Sequence, residues 1–373
     1  MPVRFGPVGL SPTLAIANFG TDSNVFNAAE DPQSDFTLTA VPRLQARLRA
    51  RRALLWGSVA TSFVYFREFE DERSIDFTTD ARADFNLGWL RPYASATWLN
   101  THERLNAEID ARAPRTDSAL AAGTGMRFSP KTGLVFNVRR ATLDFAEGAT
   151  FDGIPLARTM NSTNDVVEGG LEIFLTPLTT FTVTATFERD RFDESPDRDA
   201  DRLRILPSVR FQAPAIVQGT FSVGYERFEP LSPLLRPYTG VVARASLAST
   251  LAEKTRFELS LARDVQYSFE VVEPYYVATA YRLTVTYQIH ETLDVRGTGG
   301  QERMAYRAVE VPGGQPFDDT RDDRADVVGA GIGYWLRSNI RIGVDVEYAR
   351  RHSVRVDRRY DRTRVFGSLT YGL

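Results

Sequence analysis

From Pro177 the chain reads Pro177-Leu178-Thr179-Thr180-Phe181-Thr182-Val183-Thr184-Ala185-Thr186-Phe187-Glu188. From Phe181 onward apolar and polar side chains alternate without a slip. Successive side chains of a strand point to opposite faces, so Phe181, Val183, Ala185 and Phe187 share one face and Thr182, Thr184, Thr186 and Glu188 the other. A strand with one oily and one wet face occurs in two settings, a sandwich over a dry core or a barrel in lipid around a wet lumen.

The same pattern recurs in both directions along the chain: an alternating arm, a very short turn, another arm, then a longer polar loop. A first arm spans Leu10 to Phe19, with Leu14 and Ile16 on one face, and a polar loop follows from Gly20 to Ser34. The next arm sets Phe36, Leu38, Ala40, Leu44, Ala46 and Leu48 against Thr37, Thr39, Arg43, Gln45 and Arg47. Short turns are expected at Ala50-Arg51-Arg52, Gly88 to Leu90, Pro130-Lys131, Pro177-Leu178, Pro214, Leu251 to Lys254, Glu291 and Arg337-Ser338, where Gly, Pro, Asn, Asp and Ser supply turn chemistry. Longer loops are expected near 68–73, 104–115, 146–162, 190–200, 229–237, 268–273, 308–323 and 351–358. One end of the sheet is therefore trimmed and the other is not. A sandwich has no need of that asymmetry, whereas an outer-membrane barrel has short periplasmic turns and longer external loops. The arms are also longer than the ~5–6 residues of sandwich strands. The fold class is all-β: one transmembrane antiparallel up-and-down β-barrel of about eighteen strands, occupying residues 1–373 as a single domain.

Composition agrees. The 373 residues carry Lys+Arg 45 against Asp+Glu 48, a formal charge of -3, which gives no reason to expect nucleic acid as a partner. There is no Cys, so no disulfide, thiolate nucleophile or Cys-based metal site exists. Phe (24) and Tyr (14) far outnumber Met (4) and His (3), as suits a membrane barrel. No stretch approaches the ~20 apolar residues of a spanning helix, a test that is blind to barrels. Met1 stands where a removed export signal would have preceded the barrel.

In a barrel the polar faces line the lumen. The expected lining is Arg127, Arg139, Glu172, Glu188, Arg202, Arg204, Arg210, Glu226, Arg244, Arg256, Glu258, Arg282, Arg296, Arg341, Asp345, Glu347 and Arg364, with Glu168 and Arg362 beside them. Arginines and acids on neighbouring inward faces would pair and knit the wall. Arg140 and Arg263 fall on the apolar face and imply a bulge, an interfacial position or a register error. The last arm puts Val365, Gly367, Leu369, Tyr371 and Leu373 on one face, as in barrels inserted by the outer-membrane assembly machinery, although their last residue is commonly Phe.

Catalytic and metal chemistry finds no foothold. His102, His290 and His352 lie on separate segments without metal-ligand spacing, His290 at a short turn and read as interfacial, and no GxSxG turn exists. The acidic stretches Asp190 to Asp201 and Asp318 to Asp326 lack calcium-loop spacing, and their interleaved arginines mark ordinary solvated loops. Gly299-Gly300 and Gly313-Gly314 read as turn or bulge residues. Phe26, Phe151 and Phe317 are expected to pack the external loops together. No enzyme, cofactor or metal is expected.

The opening segment, through Gly6-Pro7-Val8, Pro12-Thr13-Leu14, Asn18, Asp22-Ser23-Asn24-Val25-Phe26-Asn27, Ser34-Asp35-Phe36 and Pro42, resembles a family of outer-membrane β-barrel porins associated with polysaccharide export gene clusters. Beyond about residue 70 the similarity is architectural only. The resemblance implies an eighteen-stranded conduit for a glycan chain, paired with a periplasmic polysaccharide-export protein. The expected function is thus export of polysaccharide through the lumen. The alternatives are a diffusion porin for small solutes, with Glu147 to Asn161 folding inward to narrow it, and a structural barrel with a filled lumen. Expected surroundings are outer-membrane lipid, lipopolysaccharide and the assembly machinery.

Overall fold

The computed structural model describes residues 3–213, 217–309 and 321–372. Eighteen antiparallel strands close into an up-and-down barrel. In chain order they are β1 (Val8–Asp22), β2 (Asp35–Ala50), β3 (Ala53–Phe66), β4 (Ser74–Phe85), β5 (Leu90–Thr101), β6 (Arg115–Arg127), β7 (Thr132–Phe145), β8 (Ser162–Thr176), β9 (Thr179–Phe192), β10 (Ala200–Ala213), β11 (Val217–Pro230), β12 (Tyr238–Leu251), β13 (Thr255–Tyr267), β14 (Tyr275–His290), β15 (Leu293–Arg307), β16 (Asp322–Arg337), β17 (Ile340–His352) and β18 (Tyr360–Tyr371). An extra short strand, Val3–Phe5, folds back on β1. Strands of 12 to 16 residues exceed the ~9–11 that cross the hydrocarbon at a tilt, so their ends project beyond it.

The quoted stretch is β9. Thr182 faces Glu172 and Ser208, Thr184 faces Gly170 and Leu206, and Glu188 faces Val166 and Arg202. The opposite face carries Val183, Phe187 and, on the next strands, Leu203, Ile205, Phe221, Val223 and Tyr225. Most of these large apolar side chains are exposed. Such rows ring the molecule, and contact with acyl chains is what removes them from water. No described helix is long and apolar enough to cross a membrane, so the crossing is by strands.

Closure pairs β1 with β18, from Leu14 opposite Tyr371 to Asp22 opposite Arg364. Here the first arm departs from the expected Leu10–Phe19. It runs on to Asp22 through a bulge, with register shifts between Ile16 and Gly20 and Asn18 at φ +53°. The bulge moves Phe19 onto the lipid side with Leu14 and Ile16 and turns Gly20 inward. A Cβ on Gly20 would lie 2.0 Å from the Val365 carbonyl oxygen, so only glycine lets the two backbones close the seam.

The short turns lie at one end and the long connections at the other. The expected long loops resolve to 23–34, 67–73, 102–114, 146–161, 193–199, 231–237, 268–274 and 353–359. Pro214, most of 308–323, Gly313-Gly314, Phe317, Met1 and Leu373 lie outside the described residues. Gly299-Gly300 requires correction. Both sit mid-strand in β15, in unbroken register with β14 and β16, and form neither turn nor bulge. A Cβ on Gly300 would press on the Tyr281 carbonyl at 2.8 Å and on Arg282, so the glycine makes room for that arginine.

The two faces of β9 are expected to respond oppositely to charge. Val183→Arg should destabilise the folded barrel by about 2–4 kcal/mol, while Thr184→Arg, one residue on, should cost little. Denaturant unfolding in phospholipid vesicles checks this.

Candidate functional site

The wet face is the inner one because side chains of non-neighbouring strands meet on it. The Tyr93 hydroxyl of β5 donates to Asn137 of β7 at 2.7 Å, and the Arg296 guanidinium of β15 reaches Asp345 of β17 at 2.6 Å. On the convex outer surface such side chains would diverge.

The structure gathers the inward charges into distinct groups. On β9 to β13, Arg202 pairs with Asp190 at 2.7 Å, and Arg204 with Glu226 at 2.7 Å, Glu188 at 3.2 Å and Asp264 at 2.8 Å. Arg244 stands 3.8 Å from Asp264. On β15 to β18, Arg341 pairs with Asp294, which also accepts from the Trp335 indole, and Glu347 with Arg364. A Cβ on Gly333 would fall on the Arg341 guanidinium, so glycine leaves the space that guanidinium fills. Arg362 pairs with Asp22 across the closing seam, and Glu168 accepts from Thr186. Other residues stay apart. Arg127 donates to the Pro130 carbonyl and stacks over Phe174 at 4.3 Å; Arg139 reaches Asn164 at 3.4 Å; Glu172 stands between Gly133 and Thr182 in the ladder. Arg256 pairs with Glu258, two residues along its own strand. Arg210, Arg256, Glu258 and Arg282 line a cavity of about 740 Å³ toward the short-turn end, with Gln212, Gln218, Thr220, Ser246, Ser260 and Thr284 among its other lining residues. Among the described residues Arg210 and Arg282 have no acidic partner within 4 Å.

The two misfits are explained. Arg140 faces outward near the long-loop end, where it pairs bidentately with Asp165 of β8 with no bulge in the ladder, an interfacial position. Arg263 marks the place where β13 leaves β12, whose ladder stops at Ala243 opposite Arg263. Beyond that point β13 and β14 bend into the lumen. Val265, Tyr275, Tyr276, Val277 and Ala278 are buried on both faces. Tyr267 donates to Asp190 and packs on Phe192 and Phe228, behind the intervening strands.

The mouth is filled by loops. Ile109 of 102–114, Ala149, Leu156 and Met160 of 146–161, and Phe269 of 268–274 form one buried apolar cluster. A short helix, Leu156–Met160, supplies its middle. The expected inward folding of Glu147 to Asn161 is therefore only part of the cap; the deeper insertion is 102–114. Its buried Glu108 accepts from Ser268 at 2.8 Å and from Tyr306, with Arg351 at 3.3 Å and Arg358 at 3.6 Å. Arg351 continues to Asp323, and Arg321 to Asp323, Glu270 and Glu273. Burial raises the Glu273 carboxyl from its ordinary value despite Arg321 beside it. The segment Asp22 to Asn27 holds the other side: Asn27 donates to Asp110 at 2.7 Å and Arg104 to the Val25 carbonyl at 2.6 Å. Arg198 of 193–199 is buried and donates to the Ser268, Phe269, Glu270 and Pro274 carbonyls, with no carboxylate partner among the described residues, and burial pushes it down to about 10. Aromatic loop residues pack the loops, Phe26 on Phe69 and Phe151 on Phe269.

Sequence reasoning missed Glu108 and Arg198. The available signal was apolar Leu105 and Ile109 in a loop otherwise expected to be solvated. At the two ends of the Asp190 to Asp201 stretch arginines take the carboxylates, Arg202 that of Asp190 and Arg191 that of Asp201.

Residues 3–372 match the family described as "Putative beta-barrel porin 2". Similar solved structures are the Pseudomonas aeruginosa outer membrane protein opdK (11% identity, 98% of each chain, TM-score 0.51) and P. aeruginosa OccK2 (OpdF) (11% identity, 98% of each chain, TM-score 0.52). At that identity they share the fold. No curated protein matches the chain.

Glu108→Ala should leave Arg351 and Arg358 without their shared carboxylate and loosen the cap by about 3–5 kcal/mol. Limited proteolysis of the folded protein should then cut within 102–114, with barrel unfolding unchanged.

Proposed function

The chain belongs to that β-barrel porin family, and from this premise we propose that it is a narrow, selective pore for small acidic solutes. Family and fold make it a protein of the bacterial outer membrane, with short turns toward the periplasm and long loops outside. Porins are channels, and no residue is assigned a catalytic role.

The observation that carries the reading is the pairing pattern of the inner wall. Many inward charges pair, but among the described residues Arg127, Arg139, Arg210 and Arg282 have no acidic partner within 4 Å; Arg210 and Arg282 line the periplasmic cavity, where the one acid, Glu258, is paired with Arg256, and Arg244 is held only at 3.8 Å. Guanidinium groups with free donors on a water-filled wall attract carboxylates and repel cations. The capped mouth supports a limit on size. Among similar barrels, opdK has been solved with vanillate (TM-score 0.50) and OccK2 with glucuronate (TM-score 0.51); both ligands are carboxylates. In this chain the arginines of the inner wall supply the preference.

A second reading is the polysaccharide conduit with a periplasmic export partner, favoured by the resemblance of the first seventy or so residues. The cap of three loops speaks against a polymer threading the barrel in this state. The third, a structural barrel with a filled lumen, takes the cap as permanent. Around the outside, pairs such as Arg303–Asp322 and Arg324–Asp326 suit contact with lipopolysaccharide headgroups above the apolar rows.

Planar-bilayer recording tests the reading. A small, steady, anion-preferring conductance is expected, and Arg210→Glu/Arg282→Glu should move the reversal potential in a salt gradient toward that of a cation-preferring pore. Silence would favour the filled barrel. Loss of surface polysaccharide on deletion, with solute uptake unchanged, would favour the conduit.

A further inference from the structure

The fork between β12 and β13 carries an inference about opening. The ladder between these strands is in register from Leu251 opposite Thr255 up to Ala243 opposite Arg263, then stops, although both strands continue. Extending that register would place Val242 opposite Asp264, Val241 opposite Val265 and Thr239 opposite Tyr267.

The backbone groups at the fork are met by side chains instead. The Val241 carbonyl accepts from the Arg263 guanidinium at 3.1 Å and from the Tyr238 hydroxyl at 3.4 Å. The Val265 amide donates to the Asp264 carboxylate at 2.9 Å, and the Val265 carbonyl accepts from Arg202 at 3.0 Å. Unpaired backbone groups away from water are costly, so these contacts are what permit the strands to part.

On β13 the bent segment is spelled largely as a straight wall strand, Arg263 apart, while Tyr275-Tyr276-Val277-Ala278 of β14 is apolar on both faces. Val265 and Tyr267, with Val277 and Tyr275 opposite them on β14, continue the alternation of Leu259, Leu261 and Tyr281 on the lipid side. Asp264 and Gln266 continue that of Ser260 and Ala262 on the water side. In the bent arrangement Val265 and Tyr275 pack instead on Ala200 and Phe228 inside the barrel.

We infer that the outer part of the β13–β14 hairpin is a gate that swings between the bent position, across the mouth, and a straight position in which it zips onto β12 and leaves the mouth. Zipping replaces the four side-chain contacts by ladder hydrogen bonds and sets Tyr267 and Tyr275 toward the headgroup level. Arg198, which grips the hairpin loop by four carbonyls, and Glu108, which accepts from Ser268, hold it in the bent position. Both states share the lower β12–β13 register and the β14–β15 ladder up to Tyr275 opposite Arg307, so no strand slips and the outer end of β15 moves with the hairpin. The inference takes from the pore reading only that this mouth is the entrance.

The chain has no Cys, so engineered pairs have no background. In Val241→Cys/Val265→Cys, oxidation of the folded, membrane-inserted protein is expected to form a disulfide that traps the straight hairpin. Conductance should rise when it forms and fall again on reduction. Adding Arg198→Ala should speed formation several-fold. Ser246→Cys/Ser260→Cys, opposed in the standing part of the ladder, should cross-link at once and leave conductance unchanged. Heat-modifiable gel mobility confirms that each variant is folded. No cross-link in the folded Val241→Cys/Val265→Cys variant, while the Ser246→Cys/Ser260→Cys pair forms, overturns the gate. So does a cross-link that leaves conductance as it was. A cross-link in a barrel silent in every state overturns the gate and the pore reading together, whereas current without the cross-link removes the gate alone.

Discussion

In the hydrocarbon no water is at hand for an unpaired amide or carbonyl, and that single requirement organises this molecule. It forces eighteen strands to close on themselves, and it explains where the closure is difficult. At the β1–β18 seam the bulge at Asn18 and the bare backbone of Gly20 bring two strands together at a distance no side chain would tolerate. At the β12–β13 fork the same requirement is met differently, with Arg263, Tyr238, Asp264 and Arg202 lending side-chain groups to the backbone.

Once the wall is closed, the interior has charges in near balance and little apolar matter to bury. Many inward arginines and acids therefore find each other along and across strands, and among those that do not, Arg210 and Arg282 share one cavity at the short-turn side. At the outer mouth the loops import their own apolar cluster and a buried carboxylate. Glu108 is tolerable there because Arg351, Arg358, Tyr306 and Ser268 surround it. A buried charge stripped of its partners would be among the most expensive features of the fold.

The barrel was legible because its signal is local. Phe181, Val183 and Phe187 against Thr182, Thr184 and Thr186 state the face of a strand within eight residues, and Pro177-Leu178 states the turn. The cap was illegible because its signal is not local. Glu108 and Ser268 are 160 residues apart, and nothing in the spelling of either loop says that they meet. Gly299-Gly300 misled for a related reason, since a glycine that makes space for the neighbouring strand's Arg282 is spelled like one that makes a turn. The fork was hidden most completely. The outer half of β13 alternates as a wall strand should, Arg263 apart, and only the packing of Val265 and Tyr275 on Phe228 reveals that the wall is not where they lie.

The apolar cluster at the mouth has a consequence for how the protein can drift. Ile109, Leu156 and Phe269 come from three connections that the barrel merely holds within reach of one another. A change of volume at one of them is felt by the other two, so these loops are bound to vary in concert. The charged tip at 67–73 stands outside that cluster and is tied instead to Phe26 through Phe69 and to Arg112 through Glu72. Comparing many descendants of this barrel should therefore reveal a trio of covarying segments at the outer mouth.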